Sequence, residues 1–180
     1  MFQCFKSEMS KFISGVLYVA QELIKLDVKP DFYRIFKIMY FSDKKSLPKY
    51  YQTIFGDWYA LPDGPVPEDL YQLIKKIRDG EKIAEFSLEG NNIVPKLNPD
   101  MEEFSESDIE CINASIAENG KLSYGELKEK SHGAAWENTA IGNEINVLDI
   151  TRESGGNGHV VEYIKERILN CSPAQIESIN

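Results

Sequence analysis

The chain reads as an α+β protein, predominantly helical and built as a single domain with a small antiparallel β-sheet or hairpin. Three observations predict this. Apolar residues recur every three or four positions in several separate stretches, the period of an amphipathic helix. Two short apolar runs, 83–88 and 93–97, flank Glu89-Gly90-Asn91-Asn92, whose residues tolerate the positive φ of a tight hairpin turn. Finally, 180 residues with 42% hydrophobic side chains match the size and core content of one globular domain.

Between Ser10 and Leu26 the apolar positions Phe12, Val16, Val19, Ala20, Leu23 and Ile24 predict a first helix. Lys29-Pro30-Asp31 breaks it, and Phe32, Ile35, Phe36, Met39 and Tyr40 mark a second helix running toward Leu47 and packing on the first. After Pro48 the stretch from Thr53 to Ala60 is rich in β-formers and aromatics. Leu61 to Pro67 then holds three prolines and a glycine, which predicts a short strand feeding a rigid turn. Glu68 and Asp69 suit the first turn of a third helix, whose face Leu70, Leu73, Ile74 and Ile77 extends to Gly80.

Downstream of the hairpin, Ser105 and Asp108 resemble a capping box opening a helix through Ile109, Ile112 and Ile116 to Gly120. A shorter helix is expected over Ser123–Lys130. From Asn138 to Gly158 periodicity is weak, and Ser154-Gly155-Gly156-Asn157-Gly158 reads as a flexible loop. Val160, Val161, Ile164 and Ile168 mark a last helix. The domain is thus expected over residues 1–172, with 173–180 a frayed tail.

The net charge of −9, from 29 acidic and 20 basic residues, opposes a phosphate backbone and argues against a nucleic-acid partner; a basic protein suits it better. Seven acids and no base lie between Asp100 and Glu118, whereas seven bases and three acids lie between Lys25 and Lys49. This distribution predicts two faces of opposite sign. Cys4, Cys111 and Cys171 are too few and too far apart for a disulfide scaffold or a zinc site, which points to a reducing compartment. The first residues lack the apolar core of a signal peptide, and no run approaches the length of a membrane span. A cytoplasmic protein without a membrane partner is expected.

Catalytic patterns are weak. His132 and His159 have no companion ligands at zinc spacing, so no metal or other cofactor is expected. His132 lies near Trp136, where capping carbonyls or packing on the indole competes with catalysis as its role. Gly155, Gly156 and Gly158 lack the partners of a phosphate loop. A metal-dependent nuclease pattern can be drawn through Pro30-Asp31 with Asp43 and Lys45, or through Pro99-Asp100 with Glu126 and Lys128. The downstream elements read as helices, though, and cannot converge as adjacent strands would. The chain therefore reads as a binding protein and not an enzyme, with the divalent-metal enzyme kept as an alternative.

The most informative words are Phe36-Lys37-Ile38-Met39-Tyr40-Phe41-Ser42-Asp43, Gly56-Asp57-Trp58-Tyr59-Ala60 and Gly64-Pro65-Val66-Pro67-Glu68-Asp69-Leu70-Tyr71, followed by Leu122-Ser123-Tyr124-Gly125-Glu126-Leu127, Ser131-His132 and Trp136. In order and spacing they resemble the Panacea domain, the family of SocA-like and phage-associated GepA-like proteins, over roughly residues 10 to 170. Ser42 departs from the alanine usual there. The resemblance implies an antitoxin that neutralises a co-encoded toxin by binding it; the SocA member is an adaptor that hands its toxin to a cellular protease, which is the alternative mode. The partner-binding residues it implies are Asp57, Trp58, Tyr59, Gly64, Pro65, Val66, Pro67, Tyr71, His132 and Trp136.

Physical reasoning leaves two roles open for several of these. Two prolines and a free glycine make 64–67 a turn with little entropy left to lose on binding, or a structural corner between strand and helix. Trp58 and Tyr59 suit an interface as rigid aromatics. Tyr40 and Tyr71 lie on apolar helix faces, where core packing with a locally bonded hydroxyl is the expected role. Asp43 and Asp57 are expected to bond nearby backbone amides or tyrosine hydroxyls.

Overall fold

Residues 35–43 of the second helix are buried without interruption, and this decides how everything else is arranged. A computed structural model describes residues 2–171 of the chain, with side chains described from 9 to 170; the expected tail at 173–180 lies outside the described residues. The elements are α1 (Phe2–Lys25), α2 (Phe32–Tyr50), β1 (Tyr59–Leu61), β2 (Gly64–Val66), α3 (Glu68–Arg78), β3 (Phe86–Glu89), β4 (Asn92–Pro95), a 3-10 turn (Met101–Glu103), α4 (Glu106–Asn119), α5 (Tyr124–Ser131), α6 (Ala134–Glu137), α7 (Val147–Glu153) and α8 (Gly158–Cys171). The strands form two separate antiparallel pairs, β1 with β2 and β3 with β4. The result is the helical α+β class expected.

α2 starts where Asp31 accepts from the Arg34 amide at 2.9 Å, and it is packed by α1, α4, α5, α7 and β2. A helix enclosed on all sides has to satisfy its polar residues internally. Ser42 does so by donating back to Ile38 O at 2.8 Å, and Ser115 of α4 donates to the same carbonyl at 2.7 Å. Ser42 thus fits as a small, satisfied side chain.

Asp43 bonds outside its helix. Its Oδ1 accepts from the amides of Ile54 and Phe55 at 2.7 and 3.1 Å, and its Oδ2 accepts from the Trp58 indole at 2.8 Å. The carboxylate thereby fastens the segment between α2 and β1 onto the helix, completing the turn begun where Tyr51 takes a left-handed conformation. Burial pushes the Asp43 carboxyl up to about 7 against the pull of these three donors.

β1 and β2 pair Tyr59 with Val66, Ala60 with Pro65 and Leu61 with Gly64, so the expected rigid turn is itself a hairpin. The segment 142–145 runs along its other edge: Ala60 N donates to Asn143 O, Gly142 N to Ala60 O and Ile145 N to Trp58 O, at 2.7–2.9 Å. The stretch 138–158, weakly periodic in the sequence, is thereby tied to the hairpin and holds α7, and 154–157 is the short connection to α8. Asn146 caps α7 by accepting from the Leu148 amide, Ile150 and Thr151 are buried, and Asn157 accepts from the His159 and Val160 amides at the start of α8. The two capping boxes at Ser105–Asp108 and Ser123–Glu126 both form.

The expected pair of oppositely charged faces is corrected. α4 packs along α2, and Lys45 pairs with Glu118, Lys49 with Glu110 and Lys11 of α1 with Asp108. The acidic and basic runs therefore meet at Lys45–Glu118 and Lys49–Glu110. Among the described residues no helix is long and apolar enough to cross a membrane.

Replacing Asp43 with alanine strands three buried donors and should cost about 3 kcal/mol or more in urea unfolding. Asp43→Asn, which keeps one acceptor oxygen, should fall in between. Wild-type stability in the alanine variant would show that the carboxylate does not hold the segment 54–58.

Candidate functional site

The β1–β2 hairpin is the point on which the chain's unusual side chains converge. Gly64 begins β2 with φ of +99°, a conformation that side chains resist, and a Cβ there would come within 2.6 Å of Ser131 Oγ, 2.7 Å of Lys37 Nζ and 3.1 Å of the His132 ring. Glycine is thus required both for the backbone angle and for the close approach of α2 and the end of α5. Lys37 Nζ donates to Pro65 O at 2.8 Å and lies 4.9 Å from the centroid of the Tyr33 ring. Trp136 donates from its indole to Leu61 O at 3.0 Å, and its ring stacks on His132 at 3.6 Å between centroids and 11° between planes. At the hairpin's tip Asp63 pairs with Lys128 at 2.7 Å, while Tyr33 donates to Asp63 O at 3.1 Å and makes a tilted ring contact with Tyr124.

The electrostatics of this grip are strained. Lys37 has no exposed surface, and burial lowers its amine to about 7, with Asp63 resisting and Lys128 assisting. Burial, followed by the positive charge of Lys37 and Lys128, also lowers His132. The His132 Nε2 is buried without a hydrogen-bond partner. Packing on the indole, one of the two roles read for this histidine, is what the geometry provides.

The implied partner-binding residues divide into two groups. Trp58 is 1% exposed, bonded to Asp43 and set edge-on to Tyr40 at 5.2 Å; Gly64, Pro65, Val66 and Pro67 are buried as well. These five make the root of the hairpin, whose strand β2 packs on α2. Asp57 is exposed, whereas Tyr59, Tyr71, His132 and Trp136 are half-buried. Tyr40 is in the core as expected, yet its hydroxyl has no partner. Tyr71 is less buried than expected and carries Lys75 over its ring.

Two clefts flank the hairpin. One, of about 310 Å³, is lined by Asp57, Tyr59, Glu68 and Asp69 over a floor that includes Phe12 and Phe55. Burial and then the charges of Glu144, Asp57, Glu68 and Asp69 raise the Tyr59 hydroxyl, so this side is strongly acidic. The other, of about 480 Å³, is lined by Phe32, Tyr33, Phe36, Lys37, Tyr71, Arg78 and Tyr124. Sequence reasoning passed over Lys37, Tyr33 and Arg78 as binding residues. The signal available was a lysine set inside an apolar run of a helix with no polar side.

The nuclease pattern does not assemble. Asp31 caps α2, Asp43 holds the segment after it, Asp100 caps the 3-10 turn and Glu126 completes a capping box. Among the described residues no three His, Cys, Asp or Glu side chains converge to hold a metal ion.

A family model described as "Antitoxin SocA-like, Panacea domain" matches residues 35–137. The match begins in α2 and ends with α6, and so contains both Asp43 and the whole grip on the hairpin. No curated protein and no solved structure matches the chain.

Gly64→Ala should lose about 3 kcal/mol, from the strained φ and from crowding against Lys37 and Ser131 together, as read by thermal or urea unfolding. A loss below about 1 kcal/mol would show that the approach relaxes freely. The buried amine sets a pH dependence. Its folded pKa lies below the unfolded value of 10.5, so between about 7 and 10.5 the unfolded chain binds more protons and stability should rise with pH. That rise should be lost in Lys37→Met; equal slopes in the two proteins would refute the depressed amine.

Proposed function

Because the chain belongs to the SocA-like Panacea antitoxin family, its matching model spanning residues 35–137, we propose that it is the antitoxin of a toxin–antitoxin pair that neutralises a co-encoded toxin in the cytoplasm by binding it directly. The family match is the observation that carries this reading. It works by surface complementarity and not by catalysis, and no metal-dependent nuclease chemistry is assigned to Asp31 or Asp43, whose oxygens are engaged in the fold.

The binding face is the exposed side of the hairpin and its acidic cleft, where Asp57 and Tyr59 stand beside Glu68 and Asp69. Rigid half-buried aromatics beside charge make a recognition surface of low entropic cost. The buried residues Trp58, Gly64, Pro65, Val66 and Pro67 act by holding that face in place. His132 and Trp136 brace the hairpin from behind. The net charge of −9 and this cleft suit a basic toxin. Of the acidic run after Asp100, Glu102, Glu103 and Glu106 make no ion pair among the described residues, so steering of a basic partner falls to them.

Expressed with the product of the adjacent gene, the protein should restore growth and co-purify with it. Toxicity that co-expression leaves unrelieved would overturn the antitoxin reading. Toxin levels separate its two modes: a toxin that persists in the complex is sequestered, and one that disappears in a protease-dependent way is delivered to that protease. Lysine at Glu102, Glu103 and Glu106 together should slow association about as much as raised salt does and leave dissociation unchanged. Unchanged association would remove steering and leave neutralisation standing.

A further inference from the structure

Buried or cleft-facing cations are ordinarily paired, because an uncompensated charge removed from water is costly. The 480 Å³ cleft between α2, the β1–β2 hairpin and α3 departs from this rule in a chain of net charge −9. Two cationic side chains line it, Lys37 at 0% exposure and Arg78 at the open rim, and among the described residues neither makes an ion pair. Lys37 uses one donor, to Pro65 O, and otherwise meets the face of Tyr33. Arg78 lies over the Phe32 ring, 4.7 Å from its centroid, and donates to the side-chain oxygen of Asn91. The one carboxylate on the lining, Asp63, is already taken by Lys128. The remaining wall is aromatic: Phe36, Tyr71 and Tyr124 join Tyr33 and Phe32.

We propose that this cleft is a binding site for a small organic anion with a planar apolar body, a carboxylate or phosphate carried on an aromatic group. The cleft has the volume and the apolar lining with a few convergent polar groups that small-molecule sites share. The ring of the ligand lies among Tyr33, Phe36 and Tyr71, and its charge sits between Lys37 and Arg78. To reach the amine it turns the Tyr33 ring aside, which breaks one hydrogen bond, from the Tyr33 hydroxyl to Asp63 O, and a tilted ring contact with Tyr124. This site is separate from the toxin-binding face and does not rest on the antitoxin reading.

A proton accompanies the ligand. The titratable groups facing Lys37 are Asp63 from the hairpin, Lys128 from α5, His132 just after it, and the tyrosines Tyr33 and Tyr124; of these only Asp63 favours the ammonium by its charge. An anion placed beside the amine adds the missing countercharge, so the amine takes up a proton on binding.

The test uses the full chain with benzoate and phenyl phosphate as probes and benzyl alcohol and inorganic phosphate as controls, titrated by calorimetry at pH 8 in two buffers of different ionisation enthalpy. Roughly millimolar or tighter binding of at least one probe is expected, with proton uptake and with both controls weaker by about tenfold. Whichever probe binds tells carboxylate from phosphate. Lys37→Met, which keeps the volume and removes the charge, should weaken the bound probe by roughly tenfold or more and abolish proton uptake; Arg78→Gln, at the exposed rim, should weaken it with uptake retained. Absence of binding by both probes, benzyl alcohol binding equally well, or a Lys37→Met protein with unchanged affinity would each overturn the proposal. Should Lys37→Met not fold, wild-type proton uptake and the Arg78→Gln titration decide, and a lack of either effect overturns it too.

Discussion

Enclosure of α2 from Ile35 to Asp43 is the constraint on which the rest of this structure depends. A helix with an apolar stripe needs a neighbour on one side, but α2 has neighbours on every side, and four of its buried residues are Lys37, Ser42, Asp43 and Ser46. Burying polar groups is tolerable only where each finds a partner. Ser42 is satisfied by its own helix. Asp43 reaches the segment 54–58 and Lys37 reaches Pro65, so the need to satisfy these two side chains selects where the segment from 54 to 65 lies.

The two long-range bonds differ in kind. Asp43 receives three donors and is well paired despite its burial. Lys37 has one carbonyl acceptor and an aromatic face, and the neighbouring Lys128 opposes its charge. A folded chain holds such a residue because the hairpin it fastens is worth more than the desolvation of one amine, or because the amine has a use. The cleft beside it, with a second uncompensated cation at its rim, is where that use lies in the reading developed above.

Surface charge follows from the same packing. α4 lies along α2, so acids at Asp108, Glu110 and Glu118 meet bases at Lys11, Lys49 and Lys45. The exposed pairs among these, Lys45–Glu118 and Lys49–Glu110, contribute little to stability, well under about 1 kcal/mol each. Their effect is on the field seen from outside: Glu102, Glu103 and Glu106, and Asp57, Glu68 and Asp69 at the cleft, are among the acids that pairing leaves over.

Local chemistry was legible in the sequence. The helical stripes, the capping boxes at Ser105 and Ser123 and the turn at Gly90-Asn91 depend on residues within a few positions of one another, and the words from Phe36 to Trp136 carried the family. Where capping signals were weaker the sequence misled, as at Asn146 and Asn157, whose side chains start α7 and α8 in a stretch without apolar period. What only the tertiary structure decided is which side chains lose their water. Whether Trp58 and the Gly64–Pro67 turn face a partner or the core, whether the charged runs form faces or pair, and whether Lys37 stands beside a carboxylate or without one all depend on contacts between positions far apart in the chain. Period and composition report how polar a segment is, but burial and charge compensation belong to the pairs that folding brings together.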